Sequence, residues 1–104
     1  MIKVSVHYPN KPGAKFDMDY YLRHHIPMAE RLLSPAIKKV TVDQGVGGAA
    51  PGTEAAFAVI ANLYFDSMES FGAAFGPVAA QIQGDVPNYT SIEPLVQINE
   101  VKIG

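Results

Sequence analysis

The chain has 104 residues, enough for one domain spanning 1–104 that buries about two-thirds of its unfolded surface. Apolar residues make up 48% and charged residues only 17%, against about a quarter in an average protein, so little charge is available to cover the surface and a face hidden against a second copy is expected. The formal net charge is -2 with no Lys/Arg run and no cysteine, which argues against nucleic-acid binding and excludes disulfides, thiolate metal sites and a cysteine nucleophile.

In chain order, Ile2, Val4 and Val6 alternate with Lys3, Ser5 and His7, which predicts a half-buried strand ending at Pro9. "YPNKPGAKF" is a loop by composition. Asp17 is placed to cap a helix, Asp19 adds first-turn negative charge, and Phe16 and Tyr21 have the spacing of a hydrophobic staple. Met18, Tyr21, Leu22, His25, Ala29 and Leu32 then share one helical face, with His24 about 100° further round than His25. That helix ends near Leu33, before Ser34-Pro35. "AIKKVTVDQGV" reads as a second strand, "VGGAAPGTE" as a glycine-rich loop, and "AAFAVIANLYF" as a third strand, apolar on both faces and therefore central. Asp66 or Ser67 caps a second helix with Met68, Phe71, Ala74 and Phe75 on one face. A last helical turn, a long loop "GDVPNYTSIEP" and a fourth strand "LVQINEVKI" follow.

The order β-α-β-β-α-β predicts a ferredoxin-like α+β fold, a four-stranded antiparallel sheet with both helices on one face. The other face carries Lys3, Ser5, His7, Asn62, Tyr64, Gln97 and Asn99. It is either wet or packed on the same face of a second copy as a barrel across two chains, and the low charge content favours the second. The opening residues read as a strand rather than a signal peptide, and no apolar run is long enough for a membrane span. Together with the missing cysteines this suits a cytoplasmic protein.

The chemistry-bearing stretch is "YYLRHHIPM", residues 20–28. On an apolar stripe His25 is expected neutral, because burial disfavours the imidazolium, and so ready to accept a proton or a hydrogen bond. Pro27 lacks an amide and displaces the carbonyl four residues back, that of Arg23, so a kink can open a gap beside His25. The alternative is a core histidine satisfied by a backbone group. His24 and His25 are adjacent and lack the i, i+4 spacing of a helical metal pair, so no metal site is expected. No serine sits in G-x-S-x-G, and "GVGGAAPG" is not a nucleotide-binding loop. Tyr89 on the long loop can close a pocket or clasp a partner subunit, or belong to a plain connector.

The pattern resembles the EthD family of dimeric α+β barrel proteins. The resemblance is carried by "IKVSVHYP", by Phe16, Asp17, Tyr20, Tyr21, His25 and Pro27 in "FDMDYYLRHHIPMAERLL", by "AVIANLYFDSMESF", and by "GDVPNYTSIEPLVQINEV". It implies a ferredoxin-like subunit, a homodimer through the open sheet face, and a pocket between helices and sheet lined by His25. Ser5, His7 and Asn62 would belong to the inter-subunit barrel. Family relatives include polyketide-tailoring dehydratases or decarboxylases and methylmuconolactone isomerases. In the isomerases the matching histidine works with a tyrosine on the second strand. That strand here reads "IKKVTV", so no tyrosine is present there and Tyr21 is the candidate replacement.

The resulting expectation is a cofactor-free homodimer acting on a small, partly apolar metabolite. His25 is the expected catalytic group, with Tyr21, Met28 and Phe75 shaping the ligand pocket. The rival expectation is a non-catalytic binding or accessory protein of a degradation pathway, associated with an oxygenase.

Overall fold

The structure is a computed structural model that describes residues 1–104. Its strands are β1 (Ile2–Pro9), β2 (Ile37–Gln44), β3 (Phe57–Phe65) and β4 (Leu95–Glu100). They form one antiparallel sheet in the order β2-β3-β1-β4. The doubly apolar strand β3 is central, as its composition requires, and the more polar β2 and β4 take the edges. The element order and the single helical layer make this the ferredoxin-like α+β arrangement.

Register separates the two faces. Val4 lies opposite Leu63 and Ile98, and Val6 opposite Ala61 and Val96, on the side that meets the helices. One residue along, Ser5 lies opposite Asn62 and Gln97, and Thr41 opposite Asn62, on the open side. This open-side row is hydrogen-bonded: Ser5 donates to Asn62 at 2.9 Å, Asn62 to Thr41 at 3.1 Å, and Asn99 to Ser5 at 3.1 Å.

The first helix is one run with an irregular middle: α1 (Met18–Tyr20), a π-helical stretch Tyr21–His25, and α2 (Ile26–Leu33). Asp17 caps it, accepting from the Tyr20 amide at 3.0 Å, and the Phe16 and Tyr21 rings meet at 5.0 Å as the staple. After β3 come α3 (Met68–Phe75), capped by Ser67, a 3-10 turn Gly76–Val78, α4 (Ala79–Gly84), and a second 3-10 turn Val86–Asn88. No helix is long and apolar enough to cross a membrane.

The expected helix face needs correction. The buried positions are Tyr21, Ala29 and Leu33 with His25, each four residues from the next, while Leu22 is 47% exposed and Leu32 only half-buried. Residues four apart drift round a regular α-helix, which has 3.6 residues per turn. The wider π turn takes up that drift and keeps the four in a column. Pro27 supplies the reason for the π turn. It has no amide to bond Arg23, and at the end of the π stretch the Ile26 amide bonds the Tyr21 carbonyl five residues back.

Two apolar clusters fill the space between helices and sheet. One gathers Tyr8, Tyr21, Val59, Ala61, Tyr89 and Ile92, and the other Ile2, Val4, Ala29, Leu33 and Phe65.

Candidate functional site

A cavity of about 230 Å³ lies at the junction of these two clusters. The column side chains Tyr21, His25, Ala29 and Leu33 form its helical wall, and Val4, Val6, Tyr8, Ala61 and Leu63 its sheet wall. Phe71, Phe75 and Ile82 close one side, and Gln83, Pro94 and Val96 also border it. Tyr21 and Phe75, both expected at a ligand pocket, line this cavity. Met28 does not line the cavity: it is half-buried, one residue before Ala29 in the inward column and so turned aside by about 100°. Ile26 takes a place on the wall instead.

His25 is 6% exposed and is not satisfied by a backbone group. Its Nδ1 lies 2.9 Å from Oδ2 of Asp85, sixty residues away in sequence, and Nε2 has a longer 3.5 Å neighbour in the Tyr89 hydroxyl. The ring stacks on Tyr21 at 5.5 Å with the planes 13° apart. The expectation of a lone imidazole on an apolar face thus left out a carboxylate.

Asp85 is itself held in place. Tyr20 donates its hydroxyl to Oδ1 at 2.7 Å and the Asn88 side-chain amide donates to the same oxygen at 2.9 Å. Burial raises the carboxyl, but the bonds from Asn88, Tyr20 and His25 outweigh it and hold Asp85 below the ordinary carboxylate value. An ionised carboxylate only accepts hydrogen bonds, so the proton in the 2.9 Å contact belongs to Nδ1. In the neutral ring Nε2 is then the nitrogen with the lone pair.

Beyond His25 lie three buried tyrosines. The Tyr8 and Tyr89 hydroxyls are 2.6 Å apart, and the Tyr89 ring packs 4.6 Å from His25 and 4.8 Å from Tyr21. Burial pushes all three phenols up, most strongly Tyr21 and Tyr89, whose neighbour Tyr8 adds to the effect. They remain neutral hydrogen-bond donors.

The loop that carries Asp85 and Tyr89 is fastened to the segment before the first helix. The Asp17 amide donates to the Tyr89 carbonyl at 2.7 Å, and Thr90 donates its hydroxyl to the Lys15 carbonyl at 2.6 Å while accepting from the Ile92 amide at 3.0 Å. Tyr89 is thus a core residue that lines the cavity. Tyr8 and Asp85 escaped sequence reasoning. Tyr8 continues the inward alternation of Ile2, Val4 and Val6 and was legible from that pattern. Asp85 lies in an aperiodic loop, where only its place in the "GDVPNY" motif marked it. No group of three or more His, Cys, Asp or Glu side chains gathers in a way that could hold a metal ion.

Comparison with known proteins bears on this geometry. A family model described as "EthD domain" matches residues 13–93, which contain Tyr20, Tyr21, His25, Asp85 and Tyr89. A crystal structure of an EthD-like protein from Ralstonia eutropha JMP134 is 43% identical, with a TM-score of 0.93 over 98% of this chain and 92% of that one. An ethyl tert-butyl ether degradation (EthD) family protein from Bacillus halodurans C-125 shares the fold at 19% identity, with a TM-score of 0.67 over 97% of this chain and 98% of that one. A protein from Arabidopsis thaliana does so at 13% identity, with a TM-score of 0.71 over 100% of this chain and 98% of that one. No curated protein matches the sequence. With the family model spanning most of its length and a 43% identical structural counterpart over nearly all of it, the chain belongs to the EthD family.

Proposed function

We propose that this protein binds a small, partly apolar metabolite in the cavity beside His25 and moves a proton on it, as an isomerase or lyase does. The observation that carries the reading is His25 in the wall of an apolar cavity, with its Nδ1 2.9 Å from Asp85, which does not itself line the cavity. A carboxylate on one imidazole nitrogen fixes the tautomer and leaves the other nitrogen as the acceptor, which is how a histidine is oriented as a general base.

The step is a proton transfer at a carbon beside a carbonyl. The C–H bond breaks, its proton goes to Nε2, and its electron pair moves into an enolate whose charge collects on the carbonyl oxygen. His25 becomes the imidazolium, facing Asp85. The neutral Tyr89 hydroxyl, with Tyr8 behind it, donates to the enolate oxygen. Return of the proton from Nε2 to the same or a neighbouring carbon completes an exchange or an isomerisation. Acid-base work of this kind contributes about 10² to 10⁴ in rate. No step draws on a cofactor.

Hydrogen–deuterium exchange at the α-carbon of small ketones and lactones in D2O tests the reading. Wild type is expected to exceed the buffer rate by at least about 10², and His25→Ala to fall to the buffer rate. Equal exchange by the two proteins would falsify the catalytic role. Ligand-dependent shifts of the His25 signals without any exchange would instead support the accessory reading, a module that holds or delivers a degradation intermediate.

A homodimer through the open sheet face is part of the same proposal. It is supported by the slab-like shape, 41 × 33 × 19 Å, with one sheet face left free of helices.

A further inference from the structure

The cavity wall is unusual in what it lacks. Among its lining side chains there is no lysine, arginine, aspartate or glutamate, and His25 is the one group there able to become a cation. Any charge on that ring already faces the Asp85 carboxylate at 2.9 Å. A ligand carboxylate would leave water and meet no unpaired positive group, which a largely apolar site does not tolerate.

Apart from the exposed Gln83 at its border, the wall carries its polar side chains at one end. Tyr8, Tyr21 and Tyr89 belong to the cluster that meets the imidazole, while Leu33, Phe71 and Phe75 border the cavity from the other cluster. Phe71 and Phe75 are stacked at 5.3 Å and 15°. A dry cavity of roughly 150 Å³ suffices for benzene. The present volume, about 230 Å³, leaves room for one ring and a short substituent.

We infer that the cavity takes a neutral, single-ring molecule with one carbonyl or hydroxyl oxygen, bound with that oxygen toward His25 and Tyr89 and its hydrocarbon toward Phe71 and Phe75. The inference rests on the reading of His25 as a ligand-facing group and adds the ligand's charge, size and direction. It excludes acidic metabolites, including lactones that carry a free carboxylate.

Three probes of matched size test it on the wild-type chain by NMR titration: acetophenone, benzoate and ethylbenzene. Acetophenone is expected to shift the His25, Tyr89 and Phe75 signals and to bind at least about tenfold tighter than either of the others. Its methyl protons should show contacts to Tyr89 or His25, and its ring protons contacts to Phe71 or Phe75. Benzoate binding as tightly as acetophenone would overturn the neutral-ligand inference. Ethylbenzene binding as tightly, or acetophenone bound in the reverse direction, would overturn oxygen recognition. Either result leaves His25 in a working cavity. Exclusion of all three probes, with the His25 signals unmoved, overturns the inference together with the reading beneath it.

Discussion

At the residue scale the proposed chemistry turns on the Asp85–His25 contact, and its orientation can be tested. In Asp85→Asn the new side-chain oxygen still accepts from Tyr20 and Asn88, but its NH2 group confronts Nδ1. His25 can meet a donor only by moving its own proton to Nε2. Nitrogen-15 chemical shifts should therefore report an Nδ1–H ring in wild type and an Nε2–H ring in the variant, with α-proton exchange falling to the His25→Ala level. An unchanged tautomer would remove Asp85 from the mechanism. The same carboxylate also sets an acid limit. Its folded value lies below the ordinary 3.8. Its contribution is thus complete above about pH 4 and is lost as pH falls through the folded value. Urea melts should give wild type an advantage over Asp85→Asn of about 1.5–3 kcal/mol at neutral pH, closing on acidification. At the alkaline end the sign reverses. Tyr8, Tyr21 and Tyr89 are raised above the ordinary 10.0, chiefly by burial, so their contribution is whole below about pH 10 and is lost as pH rises beyond it. Ultraviolet titration should show these three phenols ionising together with alkaline unfolding rather than before it.

At the element scale, the site depends on holding a loop against a helix that is not regular. The loop from Asp85 to Ile92 is anchored by Thr90, whose hydroxyl serves the Lys15 carbonyl and the Ile92 amide in a buried setting. Thr90→Val keeps the shape and removes both bonds. It should lower stability by about 1–3 kcal/mol and loosen Tyr89, read as faster amide exchange at Tyr89 and weaker ligand-induced shifts at His25. A stability loss with no change at Tyr89 would show that the clasp does not position the site. The helix itself shows where sequence reasoning stops. Cap, staple and end were legible because each depends on neighbours in the chain: Asp17 on the next amides, Phe16 on Tyr21, Leu33 on the Ser34-Pro35 that follows. Alternation gave the strands and the inward placing of Val4 and Val6 in the same local way. The π turn was not legible. Pro27 announces a missing hydrogen bond, but several distortions relieve it, and only packing against the sheet selects the one that aligns Tyr21, His25, Ala29 and Leu33. Met28, expected at the pocket, is turned aside for that reason, and Ile26 lines the cavity. Asp85 was hidden for another. Its partner lies sixty residues upstream, and a loop carboxylate has no periodicity to betray which way it turns.

At the scale of the whole molecule the surface is larger than its mass warrants. A compact monomer of 11.2 kDa is expected to expose about 5,700 Å², whereas this chain exposes 6543 Å². The excess, roughly 800 Å², is close to what each partner contributes to a standard interface. Only 14 residues are buried, and on β4 Leu95, which lies opposite His7 on the open side, is 58% exposed. Charge on the open face fits the proposed pairing with a second copy. Lys3 and Lys39 sit opposite Tyr64 at one end, and Asp43 sits opposite Ile60, beside His7, at the other. Two faces packed in opposite directions would set lysines against aspartate at both ends. The row Thr41, Asn62 and Ser5 lies between, near the axis of such a pair, where each residue approaches its own copy. Asn62→Asp tests this with little disturbance of the single chain. The aspartate still accepts from Ser5, and the Thr41 hydroxyl can turn from accepting to donating. In the dimer, however, two carboxylates would meet in a face closed to water, with no cation between them. Light scattering should give wild type about twice 11.2 kDa and the variant 11.2 kDa, with both equally folded by circular dichroism. A wild type that runs as a monomer at micromolar concentration would end the dimer proposal, and a variant that stays dimeric would move the interface off this face. The cavity and the Asp85–His25 pair, which lie on the helical side of the sheet, should keep their ligand response in either chain.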